Sequence, residues 1–155
     1  MMNHSRSLML LLGLFALGSF AFLTFGKTDG EARKEIEKVV LKGYIHGAFN
    51  ELNPEAMRKV FHPDFAIFSA KGEEIGKYPI DKWASGVEQR KAKTDFDPAK
   101  NKWDHNFAIV DVTGGAATVK VELSKDGQHI YTDYLSLLKF DSGWRIVAKV
   151  YHKHP

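Results

Sequence analysis

The sequence contains no cysteine among its 155 residues. The fold therefore cannot depend on disulfide cross-links, and a cysteine nucleophile and a lipid-modified cysteine anchor are both excluded. Basic residues form no block either, because 22 Lys and Arg are mixed along the chain with 19 Asp and Glu, for a net charge of +3. Nucleic-acid binding needs basic residues clustered on one face, so the sequence argues against a nucleic-acid partner.

Charged residues are absent from Leu8 to Phe25, between Arg6 and Lys27. A basic start, an apolar stretch and a polar exit form the pattern of a signal peptide, although a stretch of about 18 residues is also near the minimum for a spanning helix. We therefore expect residues 1–26 to be a signal peptide or an N-terminal membrane anchor. Residues 27–155 would then form one exported domain, periplasmic or secreted, that contacts a membrane only if the segment stays uncleaved.

The remaining chain predicts helices first and strands afterwards. Apolar residues repeat with helical spacing over 31–50, Asn53-Pro54-Glu55 begins a second helix, and Pro79-Ile80-Asp81 begins a third. Alternating residues predict strands over 65–70, 75–78, 107–113, 116–123, 129–140 and 144–152, with a hairpin at Gly114-Gly115 and a polar loop over 91–104. This order indicates an α+β domain in which three N-terminal helices cover one face of a curved antiparallel sheet.

Three stretches carry a resemblance to a known superfamily: Val40-Leu41-Lys42-Gly43-Tyr44, Phe61-His62-Pro63-Asp64-Phe65-Ala66, and the closing run from Gly143 to His152. In this order they resemble the NTF2-like (SnoaL-like) cone fold, and within it the bacterial group described as "putative lumazine-binding" proteins. The resemblance implies a pocket in the cone between helices and sheet. It does not imply one activity, because the superfamily includes isomerases, dehydratases, cyclases, epoxide hydrolases and non-catalytic binders.

The resemblance also allows a comparison with the ketosteroid isomerase branch, which needs a carboxylate base and an oxyanion site made of a tyrosine and a protonated acid. Tyr44 falls at the position of the tyrosine. Ser69 falls at the position of the base, and Ser136 at that of the acid. Neither serine can serve as a proton base near neutral pH without a partner, so isomerase chemistry of this type is not expected.

Strand alternation extends the list of candidate pocket residues. If Ser136 points into the cone, so do Thr132, Tyr134 and Leu138, and the matching face of the last strand carries Ala148, Val150 and His152. Trp83 would close one wall, and the family position of His62 lies near the cone mouth. The predicted ligand-binding residues are Tyr44, His62, Trp83, Tyr134, Ser136 and His152; alternatively, such side chains form a hydrogen-bonded core. No metal site and no cofactor are predicted.

The leading hypothesis is a non-catalytic or weakly catalytic domain that binds a small, flat, largely apolar organic ligand in the cone. One alternative is a dehydratase or hydrolase that uses His62 or His152 as general base while Tyr44 orients the substrate. Another is a non-catalytic interaction module, a homodimer formed through the sheet. Lys120 and Glu122 make one outward strand face polar, which predicts a salt-sensitive dimer or another contact surface.

Overall fold

The computed structural model describes residues 28–155. The predicted signal peptide or anchor at residues 1–26 lies outside the described residues, so it stays a prediction. Within residues 28–155, no helix is both long enough and apolar enough to cross a membrane.

The first helix starts where Thr28 and Glu31 cap each other. The Thr28 hydroxyl accepts a hydrogen bond from the Glu31 backbone N–H at 3.3 Å, and the Glu31 carboxylate accepts one from the Thr28 N–H at 3.0 Å. Helix α1 spans Asp29–Val39 and continues without a break as a π-helix over Val40–Asn50. The predicted helix over 31–50 is therefore confirmed, with a wider second half that the apolar spacing did not indicate.

The two other helices also form where the sequence predicts them. Helix α2 spans Pro54–Val60 and is capped by Asn53, whose side-chain oxygen accepts a hydrogen bond from the Ala56 N–H at 3.1 Å. Helix α3 spans Ile80–Lys91.

The strands are β1 Phe61–Lys71, β2 Glu74–Pro79, β3 Asp104–Thr113, β4 Ala116–Lys125, β5 Gln128–Phe140 and β6 Gly143–Lys153. They form one six-stranded sheet in the order β2-β1-β6-β5-β4-β3. All neighbours are antiparallel except β1 and β6, which run parallel. The sheet is therefore mixed and not purely antiparallel as predicted. The reason is that α3 and the loop after it carry the chain from β2 at one edge to β3 at the other, so β6 meets β1 in the middle.

The core lies between the helices and one face of the sheet. Side chains with 0% exposure come from both layers, among them Ile36 of α1, Met57 of α2, Val119 of β4 and Leu135 of β5. Burial of such apolar side chains stabilises the domain by roughly 1.5–3 kcal/mol each. The architecture is α+β, as the sequence predicts.

Candidate functional site

Three polar side chains meet in the middle of this apolar core. Tyr44 comes from the π-helix, Asp133 from β5 and Lys149 from β6, with exposed fractions of 0%, 0% and 4%. The Lys149 ammonium donates a hydrogen bond to the Tyr44 hydroxyl at 2.6 Å, and the Tyr44 hydroxyl donates to Asp133 Oδ2. Lys149 Nζ also lies 2.9 Å from Asp133 Oδ1, an ionic contact without good hydrogen-bond alignment. We call these three residues the buried triad.

Burial controls the protonation of the triad. Desolvation raises the pKa of the Tyr44 hydroxyl well above its ordinary value, and the neighbouring Asp133 raises it further. Tyr44 therefore stays protonated and acts as a fixed hydrogen-bond bridge between the other two groups. Burial also lowers the pKa of the Lys149 amine, while the attraction of Asp133 opposes that change. Lys149 is thus a lysine whose proton is held less tightly than that of an exposed lysine.

A cavity of about 610 Å³ opens on one side of Lys149. Its walls come from the π-helix, β1, β2 and α3, together with residues of β5 and β6. Tyr44 and Asp133 do not line it, so they lie behind Lys149 when viewed from the opening. The residues that line the cavity are Ala48, Phe49, Ile67, Ser69, Lys71, Gly76, Lys77, Tyr78, Lys82, Trp83, Gly86, Arg90, Tyr131, Lys149 and Tyr151.

Aromatic rings surround the Lys149 ammonium. Its nitrogen lies 4.9 Å from the centre of the Tyr151 ring and 5.6 Å from that of Trp83. The ring centres of Tyr44, Phe49 and Tyr131 lie at 5.0, 5.8 and 5.9 Å. Such contacts stabilise a cation through the ring quadrupole, by about 2 kcal/mol or more where water is excluded. They partly offset the cost of burying the charge.

The outer part of the cavity is positively charged. Lys71, Lys77, Lys82 and Arg90 line it and are exposed, whereas no Asp or Glu is among the lining residues. None of these four cations forms a salt bridge to a carboxylate within residues 28–155. We call these four residues the cationic rim. A cleft lined by charge of one sign attracts ligands of the opposite sign.

Two of the predicted site residues lie at this site. Tyr44 belongs to the buried triad, and Trp83 lines the cavity. Ser69, which the family comparison placed at the base position, lies among the lining residues as well. His62 does not reach the cavity; its ring stacks on Phe140 at 4.9 Å, and its Nδ1 accepts a hydrogen bond from the Asp64 N–H at 3.1 Å.

The predicted orientation of β5 is wrong. Tyr134 is 44% exposed and Ser136 and Leu138 are also exposed, whereas Asp133 and Leu135 are fully buried. From Asp133 to Leu137 the odd-numbered side chains point inward, so alternation counted from Ser136 assigns Tyr134, Ser136 and Leu138 to the wrong face. Thr132, close to a bulge at Ile130, is buried at 8% exposure. Tyr134 and Ser136 therefore lie outside the cavity.

The predicted orientation of β6 is wrong for the same reason, because Ala148 and Val150 pair with Ser136 and Tyr134 and share their outer face. Leu137 pairs with Ile146 and Ser136 pairs with Ala148, so Val147 is an extra residue, a β-bulge. The bulge reverses the alternation along the strand. Beyond it Lys149 turns inward, while Val150 is 50% exposed and His152 is exposed on the outer face.

Asp133 and Lys149 of the triad are not among the residues predicted from the sequence, nor are the four residues of the cationic rim. Asp133 stands in the alternating series Tyr131, Asp133, Leu135, Leu137, whose other members are apolar or aromatic. That series contained the signal for a buried carboxylate. Lys149 carried no such signal, since regular alternation from Ile146 places it on the solvent side.

The family described as "Putative lumazine-binding" matches residues 31–152, which include all three residues of the triad and the whole cavity lining. The chain belongs to this family. The resemblance noted in the sequence is thereby confirmed, and the family description concerns the binding of a small molecule.

Relatives of known structure support the same fold. An NTF2-like protein of unknown function from Shewanella baltica superposes with a TM-score of 0.67 and 25% identity, over 84% of this chain and 99% of that one. An NTF2-like protein of unknown function from Methylobacillus flagellatus gives a TM-score of 0.63 and 26% identity, over 83% and 97%. The NTF2-like fold is therefore confirmed.

A curated relative has a stated activity. Aldolase FrzH from Cladobotryum sp. is 25% identical over 123 residues, which cover 78% of this chain and 93% of that protein.

The opposite face of this family member's sheet carries apolar side chains. Ile109 and Val150 are each 50% exposed, and Tyr134, paired with Val150, is 44% exposed. Lys120 Nζ lies 3.6 Å from Glu122 Oε1, so these two residues of β4 form a salt bridge. The homodimer predicted through the sheet stays a prediction.

Among residues 28–155, no group of three or more His, Asp or Glu side chains is arranged to hold a metal ion.

Proposed function

We propose that the domain binds a small, flat organic anion in the cavity, with the ring system between the aromatic walls and the anionic group at the cationic rim. The observation that carries this proposal is the composition of the lining: four exposed cations, a buried lysine and five aromatic side chains, with no carboxylate. The family assignment supports a small-molecule ligand in general terms.

The size and walls of the cavity fit such a ligand. Its volume of about 610 Å³ is in the usual range of roughly 300–1,000 Å³ for small-molecule sites. Phe49, Trp83, Tyr131 and Tyr151 line it without closing it. Aromatic side chains prefer offset-stacked or edge contacts with other rings, worth about 0.5–1.5 kcal/mol each beyond the area that they bury.

Lys149 would recognise an electronegative atom at the inner end of the ligand. A lysine ammonium has three N–H donors. One is bonded to Tyr44 and a second faces Asp133 at 2.9 Å. The third remains for a ligand oxygen or nitrogen, such as a ring carbonyl. A hydrogen bond from this charged donor would be stronger than one from a neutral group, because the surroundings exclude water.

Isothermal titration calorimetry with two matched ligands tests the proposal. Pterin-6-carboxylate and pterin share one flat ring and differ in a carboxylate. We expect the carboxylate compound to bind at least about tenfold more tightly, and this advantage to shrink with added salt, since the rim is exposed. Equal affinities, or no binding of either compound, would contradict the proposal.

A matched pair of variants locates the site. Lys82→Glu reverses a charge on the rim, whereas Lys59→Glu reverses an exposed charge that does not line the cavity. We expect only Lys82→Glu to weaken binding of pterin-6-carboxylate. Equal weakening by both variants would show that net charge, and not the cavity, attracts the ligand.

A second candidate is catalysis of aldol chemistry. The observation that favours it is the similarity to Aldolase FrzH across 93% of that protein, together with a buried amine at the inner end of the cavity. A histidine-dependent enzyme is less well supported, since neither His62 nor His152 lines this cavity. A fluorogenic β-hydroxyketone that releases a naphthaldehyde on cleavage would test aldolase activity. Absence of turnover would contradict this candidate, and turnover that Lys149→Met leaves unchanged would contradict a role of the buried amine in it.

Export remains a separate proposal, motivated by the uncharged stretch Leu8–Phe25. Fractionation of cells that produce the full-length chain would test it, and recovery only in the cytoplasm would contradict it.

A further inference from the structure

The feature that carries a further inference is the amine of Lys149. It is 4% exposed, it lies at the inner end of a cavity open to small molecules, and a carboxylate and a hydroxyl contact it from behind. A lysine that serves only to neutralise Asp133 would not need to line a cavity. The arrangement gives one primary amine both access to a ligand and partners for its proton.

We propose that Lys149 forms a covalent imine with the carbonyl group of an oxo acid, a carbonyl compound that also carries a carboxylate. The inference deepens the proposed function and rests on it. The carbonyl would meet the amine at the inner end of the cavity, and the carboxylate would lie at the cationic rim.

The triad provides a path for every proton in this step. The Lys149 ammonium passes a proton to Asp133, 2.9 Å away, and becomes a neutral amine. Its nitrogen lone pair forms a bond to the carbonyl carbon, while the carbonyl π electrons move to the oxygen. That oxygen receives a proton from the attacking nitrogen, and Asp133 returns its proton to the nitrogen across the same 2.9 Å contact, while Tyr44 stays hydrogen-bonded to both residues. The product at this stage is a carbinolamine.

Loss of water completes the reaction. The carbon–oxygen bond breaks, and the hydroxyl leaves as water with one of the two protons on nitrogen. In total, one ammonium and one carbonyl give one iminium and one water, and nothing is oxidised or reduced. The site begins and ends with one positive charge beside the Asp133 carboxylate. The aromatic rings around the nitrogen stabilise a cation in both states.

The environment also distinguishes Lys149 from the lysines on the surface. Only a neutral amine attacks a carbonyl, and burial lowers the pKa of Lys149. Each unit by which a lysine pKa falls increases the fraction of neutral amine at neutral pH about tenfold. Carbonyl compounds that enter the cavity should therefore react there in preference to the surface.

Reductive trapping on the full-length protein tests the proposal. The probe is 4-formylbenzoate, a flat aromatic aldehyde with a carboxylate, in the presence of sodium cyanoborohydride. Intact-mass and peptide mass spectrometry then count and locate the adducts. We expect one dominant adduct on the peptide that contains Lys149, at least about tenfold above that on Lys59, an exposed lysine outside the cavity.

Two variants serve as a matched pair in the same assay. Lys149→Arg keeps the positive charge but removes the primary amine, so the dominant adduct should disappear. Lys59→Arg makes the same change on the surface and should leave that adduct unchanged. Because adduct mapping in the unaltered protein already locates the reactive amine, the test does not depend on the folding of Lys149→Arg. Adducts spread evenly over the surface lysines would overturn the proposal.

An unreactive analogue separates this inference from the proposed function. Terephthalate has a second carboxylate in place of the aldehyde, and its binding can be measured by calorimetry. Saturable binding of terephthalate without an adduct on Lys149 would overturn the imine while leaving ligand binding intact. Failure of both terephthalate binding and trapping would remove both proposals.

Discussion

The buried pair of Asp133 and Lys149 gives a quantitative prediction about stability. At a separation of 2.9 Å and an effective dielectric constant of about 20, the attraction between the two charges is about 6 kcal/mol. Desolvation of both charges cancels much of this energy, but removal of one partner leaves the other buried and uncompensated. Such a change costs roughly 3–5 kcal/mol. We therefore expect Asp133→Asn to lower the free energy of unfolding by about that amount near pH 7.

The pH dependence of this loss has a defined sign. Burial places the pKa of Lys149 below its unfolded value, so the unfolded chain binds more protons between the two pKa values and stability rises with pH there. Asp133 is the neighbour that raises this pKa, so Asp133→Asn lowers the pKa of Lys149 further. The pH range over which stability rises with pH then extends to lower pH. The variant should therefore lose more stability at pH 6 than at pH 9.

Urea unfolding followed by circular dichroism measures both effects. The matched control is the double variant Asp133→Asn/Lys149→Met, which removes both charges and leaves an uncharged partner for Tyr44. We expect the double variant to recover most of the loss, because an apolar replacement of a buried pair is often neutral or stabilising. A loss below about 1 kcal/mol for the single variant, or a double variant that is no more stable than the single one, would show that Asp133 does not compensate the buried charge of Lys149.

Three further predictions concern local packing and protonation. In Gly43→Ala the new Cβ would lie 1.9 Å from Val60 Cγ2, so we expect urea unfolding to show a loss of about 1–3 kcal/mol, which a combined Val60→Ala change should reduce. Asn53→Ala removes the cap of α2 and should cost about 1 kcal/mol in the same assay, whereas no loss would contradict the capping role. Burial and Asp133 raise the pKa of Tyr44, so the folded protein keeps a proton that the unfolded chain loses. Above about pH 10 this group should therefore lower stability with rising pH, an effect that Tyr44→Phe should remove.

The arrangement of elements could be predicted because its signals are local. The Asn53 cap, the proline after it and the Gly114-Gly115 turn are short motifs, and each forms an element boundary where it was expected. The parallel pairing of β1 with β6 is different. It depends on the path of the chain through α3 to the far edge of the sheet. The residues of β1 and β6 contain no pattern from which that path could be predicted.

Only the helical residues of the site could be predicted, because their signals are also local. Tyr44 and Trp83 lie on helices, where regular apolar spacing defines the inward face. The strand residues depended on the choice of starting point and on regular alternation. The bulge at Val147 shifts the inward side of β6 by one position and thereby brings Lys149 opposite Leu135 and beside Asp133. A single extra residue in the pairing of β5 with β6 cannot be recognised from the sequence of either strand.

If Lys149 is the inner contact of a ligand site in the cavity, ligand binding must change the surroundings of its amine. Its side-chain nitrogen can be observed directly by NMR of protein labelled with ¹⁵N-lysine, with Lys149→Met to assign its signal. We expect a Lys149 signal that shifts saturably as pterin-6-carboxylate is added, with the same Kd as calorimetry gives. Binding by calorimetry with an unmoved Lys149 signal would show that Lys149 does not contact the ligand, and the absence of any binding would contradict the ligand site itself.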